Sequence, residues 1–245
     1  MFFKYRYIKK FPTFTELYVY PDIKSVKNLN IDFRKIVGEV VTKRNMIEDP
    51  FEFRGIRDYY PFDDLRTVNW KASAKTGDIK VNEYNYTASQ KVMILLDFDG
   101  YNSWDKQAVK EDVIRIGAYL IREFIKNNIP AGFSSNVSDS ITGKEIKTLC
   151  KNGMNHNLFL YKQMAKINTE NISRPFNEVM DDLIKNNDSG YQYILISYYS
   201  GIDVQNQVSR FKSCGLSLKW IVVKDKFRKS DIESSKDVYV CEVVH

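Results

Sequence analysis

The sequence predicts an α/β fold in which a mostly parallel sheet is flanked by helices. Two short, continuous apolar runs, KVMILL at residues 91–96 and YQYILIS at 191–197, have the length and composition of strands buried on both faces. Between them lie segments with apolar residues at helical spacing, above all residues 105–127. Strand and helix signals then alternate toward the end of the chain, the pattern of right-handed crossovers between parallel strands.

Residues 1–50 read as a short β-rich front segment. Residues 16–20 (ELYVY) have strand composition and are halted by Pro21-Asp22. Residues 28–44 have mixed periodicity, and residues 45–50 read as a loop. A second region covers residues 51–90. Within it, FEFRGIRDYYPFDDLRTVNWKASAKTGDIKVNEYN at 51–85 reads as an extended piece, a turn at Pro61, one short helix and a strand at 79–86. Asp63 or Asp64 is placed to cap that helix. Leu65, Val68 and Ala72 recur at helical spacing, and Gly77 suits the left-handed residue past a helix end.

Residues 91–245 carry the α/β domain. Its first strand ends at Asp97, and the helix at 105–127 turns Val109, Val113, Ile116, Leu120 and Phe124 to one face. Pro130 stops that helix and residues 131–137 supply the next strand. Residues 138–153 are a polar excursion with a hairpin around Thr142-Gly143. A helix at 155–166 directs Leu158, Tyr161 and Ala165 inward. Pro175 suits the first turn of a helix ending near Asn187, and a helix at 203–213 closes at Gly215. Residues 216–223 and 238–244 are the last strands.

A chain of 245 residues holds one or two domains. The charged fraction of 28% and the apolar fraction of 43% are ordinary for a globular protein. The net charge of +6 arises from 37 basic and 31 acidic side chains spread along the chain, with the densest cluster at 224–229 interrupted by Asp225. That pattern favours a lysine-rich solvated surface over a nucleic-acid or anionic-membrane surface. The three cysteines, Cys150, Cys214 and Cys241, are far apart and form no C-x-x-C pair, so neither a zinc site nor a disulfide framework is indicated. A reducing, cytoplasmic setting is the expectation. His156 and His245 are the only histidines, too few for a histidine-based metal site or triad. No apolar run reaches about 18 residues, so no transmembrane helix is expected. Residues 1–10 lack the apolar core and cleavage site of a signal peptide. Neither G-x-x-x-x-G-K-[ST] nor G-x-G-x-x-G occurs, and Ser73 beside Lys75 is not an S-x-x-K motif, so nucleotide chemistry and a serine nucleophile lack support.

Gly55, Arg57, Tyr59, Asp63, Arg66 and Trp70, followed by Lys71 and the run to Gly77, are similar to the signature of the domain-of-unknown-function 58 (DUF58) family, G-x-R-x-Y-x-x-G-D-x-x-R-x-I-D-W. Phe62 stands where the family has glycine, and Asn69 where it has its second acidic residue. Val19-Tyr20-Pro21 resembles the family's V-Y-P element. The resemblance implies a von Willebrand factor A-like, Rossmann-type domain after the signature and no known reaction. It also implies membrane helices and a β-rich region ahead of the signature; this chain begins at roughly the point where that region would end.

The implied domain type brings a metal-ion-dependent adhesion site, D-x-S-x-S with a later threonine and aspartate, supplying the oxygen ligands that Mg²⁺ requires. Here Asp97 matches, Asp99 stands for the first serine and Tyr101 for the second. Ser197-Tyr198 replaces a Ser-Asp pair, and Thr169 approximates the loop threonine. A degenerate site with no confident metal is expected. Asp97 and Asp99 as a general acid and base lack a third group to support them.

The signature has two readings. As a joint, Arg57 and Arg66 hold it to the sheet by bidentate carboxylate bonds, with Asp63 and Asp64 as cap and partner, and Trp70 fills the junction. As a docking surface, its arginines and exposed Tyr59 and Tyr60 face a partner. The function expected is a non-catalytic interaction or assembly module acting with a MoxR-type AAA+ ATPase, the partner that the resemblance implies, in the cytoplasm or held at a membrane through that partner. The alternative is a metal-dependent ligand-binding domain. A basic-surface nucleic-acid binder ranks third, without specific recognition.

Overall fold

From Val92 to Phe98 every residue is buried, and that double-sided burial sets the architecture. The computed structural model describes residues 17–23, 33–45, 53–61, 63–84, 91–100, 107–186, 190–225 and 237–243. In chain order the elements are α1 (Phe33–Asn45), β1 (Phe53–Asp58), a 3₁₀ turn (Leu65–Thr67), α2 (Trp70–Thr76), β2 (Lys80–Tyr84), β3 (Lys91–Asp97), α3 (Gln107–Lys126), β4 (Ala131–Asp139) and β5 (Glu145–Lys147). There follow α4 (Met154–Met164), β6 (Ile167–Ile172), α5 (Phe176–Asn186), β7 (Tyr191–Ser197), α6 (Ile202–Ser213), β8 (Ser217–Asp225) and β9 (Val238–Val243).

The main sheet has seven strands in the order β5-β4-β3-β7-β8-β9, with β6 also on β4. β3, β4, β7, β8 and β9 run parallel, and β5 and β6 run antiparallel to β4. Ser138 pairs with Glu145 of β5 and with Asn168 of β6. β6 therefore takes up the edge of β4 beyond the last pairing with β3, Leu96 with Ser135.

Alternate residues of the central strands enter two separate cores. Val92, Ile94 and Leu96 of β3, with Ile194, Ile196, Ile221 and Val223, meet apolar faces of α1, α3 and α4. Met93 and Leu95, with Tyr193, Leu195, Leu218, Trp220 and Val222, meet α5 and α6. The five residues expected on the inner face of α3 are all buried.

The front segment departs from expectation. Residues 17–20 form no strand: Tyr18 lies beneath the Lys162 ammonium at 4.3 Å, and Tyr20 packs on Tyr161. The following stretch contains a helix, α1, because Phe33, Ile36, Val37 and Val40 stand at i, i+3, i+4 and i+7 and share one buried face. Glu39 of α1 pairs with the buried Lys219 of β8, and the Tyr239 hydroxyl is 3.2 Å from both groups. Those bonds hold the Glu39 carboxyl below its ordinary range.

Two smaller corrections follow. In α4 the inward residues are Leu160 and Met164, one face round from the expected Leu158, which is exposed; Tyr161 and Ala165 are half-buried. β6 is a polar strand that no apolar pattern announces. The hairpin after β4 forms as expected, its turn held by Asp139 accepting from the Ile141 and Thr142 amides. Among the described residues no helix is long and apolar enough to cross a membrane. The readings made on residues 1–16, 24–32, 46–52, Phe62, 85–90, Tyr101, 226–236 and 244–245 lie outside the described residues.

Because α1 is seated by Ile36 at the centre of its buried face, Ile36→Ala should lower the unfolding free energy by about 2–5 kcal/mol, the ordinary effect of truncating a buried aliphatic side chain. The exposed Ile202→Ala on α6 should change it by no more than about 0.5 kcal/mol. Urea denaturation of the two variants checks both values.

Candidate functional site

Two places collect the candidate residues: the signature unit at residues 53–84 and the carboxyl end of β3.

In the signature unit β1 pairs antiparallel with β2, apart from the main sheet, with a register irregularity between Phe53 and Gly55. Gly55 thus sits within β1. The guanidinium of Arg57 donates two 2.7 Å hydrogen bonds to the two carboxylate oxygens of Asp63, which also accepts from the Tyr60 amide at 2.8 Å. Arg57 lies 5.4 Å from the Tyr60 ring centre. The bond to Arg57, then that to the Tyr60 amide, lowers the Asp63 carboxyl to about 2. This bidentate pair closes β1 onto the turn that follows it.

Asp64 caps only the 3₁₀ turn, accepting from the Arg66 amide at 3.0 Å. The single expected helix is two elements, separated where Val68 bridges Val81 of β2. The cap of α2 is Asn69, which accepts from the Ala72 amide at 2.9 Å and donates to Asn82 at 2.7 Å. Ser73 accepts from the Lys80 amide at 2.8 Å and so clips α2 to β2. Gly77 ends α2 with a φ of 80°, the left-handed conformation expected there.

Trp70 does not fill a junction. It is the first residue of α2 and 68% exposed, and no residue of α2 is buried. The buried hydrophobic side chains of this unit among the described residues are Val68 and Val81, which belong to neither main core. Tyr60, Leu65, Arg66 and Lys71 are exposed, while Tyr59 is half-buried and its amide donates to Ile79. Arg66 makes no ion pair among the described residues, so the expected bidentate bond belongs to Arg57 alone.

At the other place, Asp97 ends β3 opposite Ser197 of β7. The sheet reverses its order of growth here: β4 lies on one side of β3 and β7 on the other. Ligand crevices of open α/β sheets lie at such points, outside the carboxyl ends of the strands. Asp97 is fully buried; one carboxylate oxygen accepts from the Asp99 amide at 2.8 Å and the other has no hydrogen-bond partner among the described residues. Burial raises its carboxyl well above the ordinary range, and the charges of Asp99 and Asp203 add to the shift.

Both oxygens of Asp99 are engaged, by Asn136 of β4 at 2.7 Å and by the Phe176 amide at the start of α5 at 2.6 Å. Asn136 also accepts from the Phe98 amide at 3.1 Å. The Ser197 hydroxyl donates to the Tyr199 carbonyl and accepts from the Trp220 indole. Gly100 has a φ of 77°, and a Cβ there would stand 2.8 Å from the Tyr199 ring.

The described residues at this end of the sheet do not fit a hard cation. Mg²⁺ requires near-octahedral oxygen ligands, yet Asp99 and Ser197 are committed to protein partners. Thr169 lies in β6 with its carbonyl accepting from Lys110, and Tyr198 is a half-buried phenol packed on the core. Among the described residues no group of three or more His, Cys, Asp or Glu is placed to hold a metal. Fully buried, Asp97 has no access to a substrate proton. Cys150, Cys214 and Cys241 form no disulfide; the Cys150 thiol donates to the Val92 carbonyl, and burial pushes the Cys241 thiol up to about 12.

Asn136, Phe176, Tyr199, Asp203 and Trp220 all bond to or lie close to the groups at this end of the sheet, and none stood out in the sequence. Asn136, a lone amide in the fully buried strand β4, is the residue a sequence signal could have found.

The carboxyl of Asp97 keeps its proton to higher pH in the folded protein than in the unfolded chain. Its favourable contribution is complete below the ordinary aspartate range and is lost as pH rises through the folded value. Asp97→Asn should therefore melt higher than wild type at about pH 8, with the gain shrinking toward about pH 4. Thermal melts of both proteins across that range check the sign.

No curated protein matches the chain. Residues 55–168, from within β1 into β6 and including Gly55 to Trp70 and Asp97, match the model of the family described as Protein of unknown function DUF58, which supports the family that the Gly55-to-Trp70 signature resembles.

Proposed function

We propose that this protein is a non-catalytic protein-interaction or assembly module of the DUF58 type, a von Willebrand factor A-like domain that presents its signature unit as a docking surface. The observation that carries the reading is exposure on a tied-down backbone. The Arg57–Asp63 pair, the Asn69 cap and the Ser73 clip hold the unit in place, while Tyr60, Leu65 and Trp70 face solvent beside Arg66 and Lys71. Tryptophan, tyrosine and arginine are the side chains most often found at binding hot spots, and a preorganised display lowers the ordering cost of binding. The mostly parallel sheet, helices on both its faces and the acidic pair closing β3 support the von Willebrand factor A-like assignment. A MoxR-type AAA+ ATPase is the proposed partner, on the family resemblance alone.

The test begins with capture from the native cell and continues with the captured partner in purified form. Trp70→Ala should melt within about 0.5 kcal/mol of wild type, as an exposed side chain does. It should weaken partner binding by about 2 kcal/mol or more, about 30-fold in Kd. A variant that melts far below wild type would restore the joint reading. One that binds the partner like wild type would remove the docking surface.

The metal-dependent alternative is disfavoured by the engaged oxygens of Asp99 and Ser197. Melting curves in EDTA and in millimolar Mg²⁺ should coincide. A clear rise with Mg²⁺ would favour that alternative, because a ligand selective for the native state raises the midpoint.

A further inference from the structure

A second apolar surface lies at the edge of the sheet opposite Asp97. Lys151 pairs with Ala131, the first residue of β4, so the chain enters α4 at the amino-terminal edge of the strands. The end of α3 reaches the same edge, since the Pro130 carbonyl accepts from the Val92 amide at the start of β3. Between the two helices is a cavity of about 710 Å³, with Ile125 and Met154 as its apolar lining and Arg122 and Lys126 as its cations.

The apolar surface does not stop at the cavity. Met154 is 79% exposed, Leu158 follows one turn later on α4, Phe159 is next to it, and Leu149 is 70% exposed before the helix begins. None of these side chains belongs to the core, which α4 reaches through Leu160 and Met164. From Met154 to Phe159 the strip extends about 7.5 Å along the helix axis, beyond the span of the cavity's own lining. Exposed large apolar side chains gathered at one end of a helix are characteristic of an interaction face. Residues 17–23 do not cover it: Tyr18 and Tyr20 lie on Lys162 and Tyr161.

Charge selects the occupant. Among the described residues no acidic one lines the cavity, and Lys126 and Lys151 are exposed beside it. The α4 N-terminus has no side-chain cap, so its dipole adds to the positive field. Glu123 is the nearby acid, paired with Arg122. We infer that the groove between the end of α3 and the start of α4 docks an acidic, amphipathic helix of a partner protein. Its leucine-like anchors would enter beside Ile125 and Met154, and its carboxylates would meet Arg122, Lys126 and Lys151. This is the helix-in-groove mode of recognition. It goes beyond the signature surface and uses none of its residues.

The probe is a fluorescein-labelled helical peptide of about 18 residues, long enough to hold a helix when docked. It carries leucine at i, i+4, i+7 and i+11 with glutamate on both flanks, and its twin carries lysine for every glutamate. Fluorescence anisotropy with the full chain should show binding of the acidic peptide, weakening as salt rises. Met154→Glu should weaken it about ten-fold, and Lys126→Glu with Lys151→Glu should weaken it by at least that and shift preference to the lysine twin. All three side chains are exposed, so the variants should melt like wild type. The inference fails if the twins bind wild type equally, if Met154→Glu has no effect, or if the acidic peptide shows no binding up to about 100 µM. It also fails if wild type, but not Met154→Glu, sediments with phosphatidylserine vesicles while ignoring the peptide, because the face then belongs to a membrane.

Discussion

The fold depends on strands that have no solvent side. β3 and β7 lie at the centre of a sheet with helices on both faces, so each backbone group there must be satisfied within the sheet and each side chain packed. That constraint places α1, α3 and α4 on one face and α5 and α6 on the other. It also concentrates difficulty where the strands end. Polar groups needed to turn the chain there enter a volume that water barely reaches.

The carboxyl end of β3 meets the difficulty with one side chain serving three elements. Asp99 joins the end of β3 to β4 through Asn136 and to α5 through the Phe176 amide, an acceptor at a helix N-terminus where the dipole favours negative charge. Asp97, next to it, is satisfied at one oxygen only among the described residues. A buried acid held in this state opposes stability at neutral pH, which sets this end of the sheet apart from the well-packed remainder.

Much of the sheet was legible because its signals are redundant. In β3, β7 and α3, composition, period and length agree, and their bounds fall within a residue or two of expectation. α1 was missed because residues 28–44 read as mixed periodicity: Ile31 and Val41 interrupt the regular spacing of Phe33, Ile36, Val37 and Val40, which only packing on the core singles out; residues 17–20 have strand composition but no pairing edge here. β6 was invisible because an edge strand carries polar residues and is recruited by the free edge of β4. The signature showed the reverse error. Trp70 has the chemistry of a core residue, and only its tertiary surroundings reveal that it is 68% exposed. Arg57 was legible because a planar fork finds a carboxylate; which of three nearby aspartates it takes is decided by the turn at Pro61.

Among its described residues the signature unit stands on a two-stranded sheet and one buried valine pair, Val68 with Val81. Two-stranded sheets are marginal by themselves, and a segment with so little buried apolar area opens at a free energy well below that of the whole domain. Its amides therefore exchange with solvent through local excursions, while those of β3 and β7 wait for global unfolding. A protein that grips the unit suppresses those excursions, so occupancy is written into the local opening equilibrium even when the body of the sheet does not move.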